Sequence, residues 1–179
     1  MGTLVTPQRR EMYQEELDFR SAISEFTASK QASVTNFINL YHFERKQWIL
    51  NGAYSEVAVN GLDGMWPITI DMEVLFFTMT NLVSGSSGIT EADIELFTAP
   101  GVSGGSIFST TPKMDSNVTN NSYMIKDIVT PANDVNPAGT TLPVFTTNLF
   151  NKGQALQFNL LQSMFDVETM SVEIMYRPR

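Results

Sequence analysis

The sequence contains no cysteine, which excludes disulfides, thiolate metal sites and cysteine nucleophiles. Its single histidine, His42, rules out a multi-histidine zinc site and most imidazole acid–base chemistry. Charged residues make up 17 % of the 179 residues, against roughly a quarter in ordinary soluble domains. No run approaches the ~18 consecutive apolar residues of a membrane span. Met1–Pro7 lacks the basic start and apolar run of a secretory signal, so a chain made in a cytoplasm and soluble there is expected. The missing charge is replaced by 15 Ser, 18 Thr and 13 Asn. Hydrophobic residues at 42 % are enough to bury a core, which sets the chain apart from disordered segments.

The net charge of −8 is unevenly spread. Residues 1–50 carry six bases and six acids, while residues 51–179 carry thirteen acids against five bases. An acidic body repels phosphate backbones, so nucleic acid is not an expected partner outside the first fifty residues, and without an apolar span neither is a membrane.

Two regions follow from the patterning: a helical arm over 1–32 and a β body over 33–179. Thr6 can cap a helix that Pro7 opens, since the N–H that proline lacks is unpaired at that position in any helix. Met12, Phe19 and Phe26 recur every seven residues with Leu17 and Ile23 beside them, a narrow apolar stripe among charged neighbours. Such a helix is marginal alone and must pack against something.

From Ser33 the pattern is one of strands. Segments 33–40, 44–51 and 53–59 are expected strands, punctuated by Asn51-Gly52, Asn60-Gly61 and Asp63-Gly64 as turn dipeptides. Ile68–Asn81 reads as the longest strand, with Ile68, Ile70, Met72, Val74 and Phe76 on one face. Further strands are expected at 92–97, 107–109, 123–128 and 142–146, with Ser84–Gly88 and Pro100–Ser106 as loops. Leu156, Phe158 and Leu160, then Met170, Val172, Ile174 and Tyr176, alternate in two closing strands. Short strands at regular spacing predict a mainly β chain, an antiparallel β-sandwich or jelly roll behind an N-terminal α-helical arm. Pattern alone does not choose between jelly-roll and immunoglobulin-like wiring.

Candidate chemistry is sparse. Asp71 and Glu73, at i and i+2 of one expected strand face, have a spacing a glycosidase pair could use, although solvated acids are the commoner case. Glu91, Asp93 and Glu95 share a face and could gather calcium, but no Asp-x-Asp-x-Asp-Gly loop accompanies them. Ser84–Gly88 and Ser103-Gly104-Gly105 lack the lysine and the strand–loop–helix setting of a phosphate loop. Trp48 and Trp66 could stack on sugar rings, though tryptophans in such folds are more often core. No nucleophile elbow accompanies His42. The chain is therefore expected not to be an enzyme and to need no cofactor or metal.

One stretch carries a resemblance. Trp66-Pro67-Ile68, then Leu82-Val83-Ser84-Gly85-Ser86-Ser87-Gly88-Ile89-Thr90-Glu91-Ala92-Asp93-Ile94-Glu95, followed by Gly105-Ser106-Ile107-Phe108-Ser109-Thr110-Thr111-Pro112, resembles β-domains of tailed-bacteriophage virion structural proteins. The likeness covers about residues 66–112 and is to capsid cement (head decoration) and tail-appendage domains. It implies a cement protein on the capsid surface of the virion, a homo-oligomer and in particular a trimer, that clamps neighbouring major capsid protein subunits. Met12, Leu17, Phe19, Ile23, Phe26 and Trp66 would be its partner-binding residues. The alternative is a tail-fibre or receptor-binding domain that contacts glycan through Trp66 and the loops.

Overall fold

The computed structural model describes residues 43–54 and 59–179. The expected helical arm, its boundary at 32/33, the strand at 33–40, His42 and the candidates Met12, Leu17, Phe19, Ile23 and Phe26 all lie outside the described residues. In chain order the strands are β1 (Glu44–Tyr54), β2 (Val59–Pro67), β3 (Met72–Val83), β4 (Ile89–Ala99), β5 (Val102–Ser106), β6 (Phe108–Thr110) and β7 (Lys113–Asp115). They continue with β8 (Ser122–Asp127), β9 (Thr140–Thr141), β10 (Val144–Phe145), β11 (Leu149–Phe150), β12 (Ala155–Gln162) and β13 (Val167–Pro178). A 3-10 turn, Pro131–Asn133, lies between β8 and β9. The described chain is mainly β, and all of its strand pairs are antiparallel.

Two sheets dominate. The first runs β1-β13-β3, with β8 and β11 both paired to β3. The second runs β2-β12-β4-β7-β9, with β5 also paired to β4, while β6 and β10 form a separate ribbon. Strands β1 to β4 thus alternate between the two sheets, and β12 and β13 each insert between earlier strands. Leu156, Phe158 and Leu160 of β12 and Val172 and Ile174 of β13 are fully buried, as their alternation predicts. Trp48 of β1 stacks on Phe158 of β12 at 5.5 Å between ring centroids, and Trp66 of β2 meets Tyr176 of β13 at 5.3 Å. Each pair joins one sheet to the other, so the two inward faces share one core. Phe77 against Phe108 and Phe108 against Phe145 carry that core on to the ribbon. Burying such side chains is the main stabilising term, about 1.5–3 kcal/mol for each large one.

The structure departs from the expected strands where bulges enter. Strand β3 begins at Met72, four residues later than expected. Ile68 instead ties down the approach to β12, donating from its N–H to Gln154 O and accepting from Gly153 N–H. Val74 faces Tyr176 while Phe76 faces Met175, so Leu75 is an extra residue on β3. This bulge turns the strand over. Met72 and Val74 point inward before it, Phe77, Met79 and Asn81 after it, and Phe76 falls on the opposite face from the one expected. The apolar run Val74–Phe77 is the trace of that change of face.

The glycine dipeptides are bulges too. Asn51-Gly52 lies within β1 where its register with β13 shifts. Asn60-Gly61 and Asp63-Gly64 lie within β2, where the register with β12 shifts twice. Gly61 and Gly64 both adopt φ of +71°, the left-handed conformation that such bulges demand and that glycine tolerates. Residues 100–106 are likewise not a loop: Pro100-Gly101 is a two-residue turn that folds β5 back onto β4.

Candidate functional site

Asp71 and Glu73 each have partners of their own. Asp71 precedes β3, where its Oδ1 accepts the Lys152 N–H at 2.8 Å and its backbone carbonyl accepts the Arg179 N–H. Glu73 Oε2 accepts two hydrogen bonds from Arg177, from Nε at 3.0 Å and Nη2 at 2.8 Å. Each carboxylate anchors a different stretch of chain.

The Ser84–Gly88 loop is a packed joint. Ser84 Oγ accepts from Asn81 Nδ2 at 2.8 Å and donates to Val118 O at 2.6 Å, while Ser84 N–H donates to Asn120 Oδ1 at 2.7 Å. Ser86 N–H donates to Phe165 O and Phe165 N–H donates to Ser87 O, knitting this loop to the β12–β13 turn. These backbone donors are spent inside the protein and are not arrayed around an anion. Ser103 sits on β5, donating its hydroxyl to Glu95 and accepting from Gly105 N–H at 3.1 Å.

Trp48 is completely buried and belongs to the core. Trp66 is partly buried: its ring packs on Tyr176, and together with Glu44, Pro67, Ile68 and Thr69 it lines a cavity of about 240 Å³ at one end of the sheets. Tyr176 Oη donates to Glu44 Oε2 at 2.6 Å. Burial first, and then the adjoining Glu44 carboxylate, push the phenol well above its ordinary range. It stays protonated and serves as a fixed donor.

Glu91, Asp93 and Glu95 share the outward face of β4, as their spacing predicts. Glu91 accepts from the Thr111 hydroxyl and pairs with Lys113 Nζ at 3.0 Å. Burial raises the Glu91 pKa, but the Thr111 and Lys113 contacts outweigh it and the net shift is downward. Asp93 accepts from Ser106 Oγ, and burial raises its pKa, with the Glu95 and Glu91 charges adding to that. Glu95 accepts from Ser103 and, at 3.3 Å, from Asn159 Nδ2. Asn159 Oδ1 in turn accepts Gln157 Nε2 and Gly61 N–H. This is a ladder of acids held by hydroxyls and amides, and among the described residues no cluster of acids or histidine could hold a metal. No described helix is long and apolar enough to cross a membrane.

Beside this ladder lies a feature that residue patterning did not single out. Met65, Pro67, Phe97, Ala99, Pro100 and Ala155 line an apolar cavity of about 310 Å³ at the end of the second sheet. The available signal was the set of apolar residues at outward positions of β2 and β4, which the reading of Asn60-Gly61 and Asp63-Gly64 as turns and of Pro100–Ser106 as a loop obscured.

No family model matches the chain, and no curated protein matches it. Among solved structures the chain is similar to a chain of the cyanophage Pam1 capsid asymmetric unit, with 8 % identity and a TM-score of 0.31 over 76 % of this chain and 84 % of that one.

Proposed function

We propose that this chain is a non-enzymatic structural protein of a tailed-phage virion: a capsid cement protein that binds neighbouring major capsid subunits and stabilises the head. The observation that carries this reading is the strand order. With β1-β13-β3-β8 in one sheet and β2-β12-β4-β7 in the other, the order supports a jelly roll, an architecture that viral capsid domains use. The sequence resemblance over 66–112 points the same way. In the proposed assembly the chain is a trimer on the outer surface of the capsid, and Met12, Leu17, Phe19, Ile23 and Phe26 of the arm, with Trp66 of the body, contact the partner. A clamp of this kind acts through buried area alone, and a stable contact needs more than about 1,000 Å² in total.

The test is co-sedimentation of the full chain with purified, undecorated heads of the phage that encodes it. Saturable binding is expected, with none to polysaccharide, and Phe19→Glu together with Phe26→Glu should weaken it. Jelly rolls also serve lectins. Binding to polysaccharide with none to heads would replace cement by the tail-fibre or receptor-binding alternative, and turnover of the polysaccharide would overturn both.

A further inference from the structure

The cavity lined by Met65, Pro67, Phe97, Ala99 and Ala155 opens on the same outward face of the second sheet as the acidic ladder. Met65 is 46 % exposed, and Val102, which pairs with the cavity-lining Ala99 next to the β4–β5 turn, is 52 % exposed. Ala155 stands opposite both Pro67 and Phe97, and Gln157 opposite both Met65 and Glu95, so apolar and polar rows lie next to one another across the sheet. Along β4 the outward positions run Phe97, Glu95, Asp93, Glu91, each about 7 Å from the next. Lys113 neutralises Glu91. Among the described residues Asp93 and Glu95 enter no ion pair; their partners are the neutral Ser106, Ser103 and Asn159. The face therefore presents an apolar recess followed, at strand spacing, by two negative charges that no cation among the described residues pairs with.

We propose that this face receives an extended segment of a partner protein, one that seats an apolar side chain in the recess and places lysine or arginine, two and four residues further on, over Glu95 and Asp93. An extended chain advances about 6.6–7 Å every two residues, the same step as the acids. Charge complementarity selects a basic segment over a second copy, because residues 51–179 of this chain carry thirteen acids against five bases. The inference deepens the cement reading by naming the chemistry of the segment that the capsid subunit would contribute, and to that extent rests on it.

The test has two arms. In the first, the full chain is labelled at its methionine methyl groups, Met65 is assigned through Met65→Leu, and a capped heptapeptide with one leucine followed by lysines two and four positions on is titrated in. A saturable shift of the Met65 methyl signal is expected, abolished when the peptide lysines are glutamates and weakened about tenfold by Asp93→Asn with Glu95→Gln. No shift, or equal shifts from both peptides, overturns the proposal, as does a Met65 signal that moves on dilution of the chain alone, which would make a second copy the occupant. In the second arm the same double variant and Phe97→Ser are co-sedimented with heads. Binding by the parent chain that both variants retain in full refutes the docking face and leaves the cement reading standing. Peptide binding without any head binding refutes the cement reading and leaves the docking face standing.

Discussion

Replacing Gly85 with alanine tests whether the Ser84–Gly88 segment is a joint or a free loop. A Cβ built on Gly85 falls 2.4 Å from Phe165 O and 2.5 Å from Met164 Cβ. An ordinary carbon–oxygen approach is about 3.3 Å or more, so the two segments must separate by close to an ångström, and the obstacle is a backbone carbonyl that cannot rotate away. That displacement strains the reciprocal bonds Ser86 N–H to Phe165 O at 2.9 Å and Phe165 N–H to Ser87 O at 3.0 Å. Two such bonds contribute about 0.5–1.5 kcal/mol each, and overpacking adds roughly 1–3 kcal/mol. A loss near 3 kcal/mol follows, equivalent to a fall in Tm of about 6–12 °C at this chain length. Gly64→Ala is the control. Its φ is +71° but nothing lies within 4 Å of the added methyl, so it should cost only about 1–2 kcal/mol for the left-handed backbone. Both variants would be followed by circular dichroism through thermal and urea unfolding. A Gly85→Ala protein that melts at or above the Gly64→Ala protein refutes the close packing of this joint.

Asp127, 2 % exposed, accepts Val129 N–H and Thr130 N–H on Oδ1 and Asn133 Nδ2 on Oδ2. Asp127→Ala strands those donors and should cost about 3–5 kcal/mol in urea unfolding, whereas Asp127→Asn, which keeps one acceptor oxygen, should cost less. Burial raises the folded Asp93 pKa. The folded state therefore holds this proton more tightly, and the group's contribution to stability is lost as pH rises through the carboxylate range. Asp93→Asn should accordingly gain stability relative to the parent between about pH 3.5 and pH 7, and melting curves showing the opposite trend would contradict the burial. Trp66→Phe leaves only the fully buried Trp48 as an emitter, so the fluorescence maximum should move to shorter wavelength, and no movement would mean that Trp66 is as dry as Trp48.

Alternation was legible wherever a strand ran without interruption. Leu156, Phe158 and Leu160, and Met170 through Tyr176, occupy the inward positions their period of two assigns. Legibility failed at the bulges. Asn-Gly and Asp-Gly are chosen for a positive φ, and a hairpin turn and a β-bulge both require one. The dipeptide therefore reports a backbone conformation without saying whether the chain reverses there. At Leu75 no glycine marks the bulge, and only the loss of alternation through Val74–Phe77 betrays it. The acids of β4 were placed on their shared face by spacing alone. Their partners Ser103 and Ser106 come from β5 and Asn159 from β12, strands that local patterning does not bring together.

The shortage of charge and the surplus of serine, threonine and asparagine are two sides of one device. Glu95 and Asp93 are held by hydroxyls and an amide, and Asp127 by backbone N–H groups and an asparagine. Hydrogen bonds from such neutral donors fix a carboxylate in place and leave its charge uncancelled. Where a lysine or arginine does the holding, as at Glu91 with Lys113 and Glu73 with Arg177, the pair is locally neutral. On the outward face of β4 the neutral mode prevails at Asp93 and Glu95, so among the described residues no cation cancels those charges. The raised pKa of Asp93 shows that keeping a carboxylate there carries a stability cost. A position that weakens the isolated fold while completing an acidic row beside an apolar recess is where a binding requirement should be sought first.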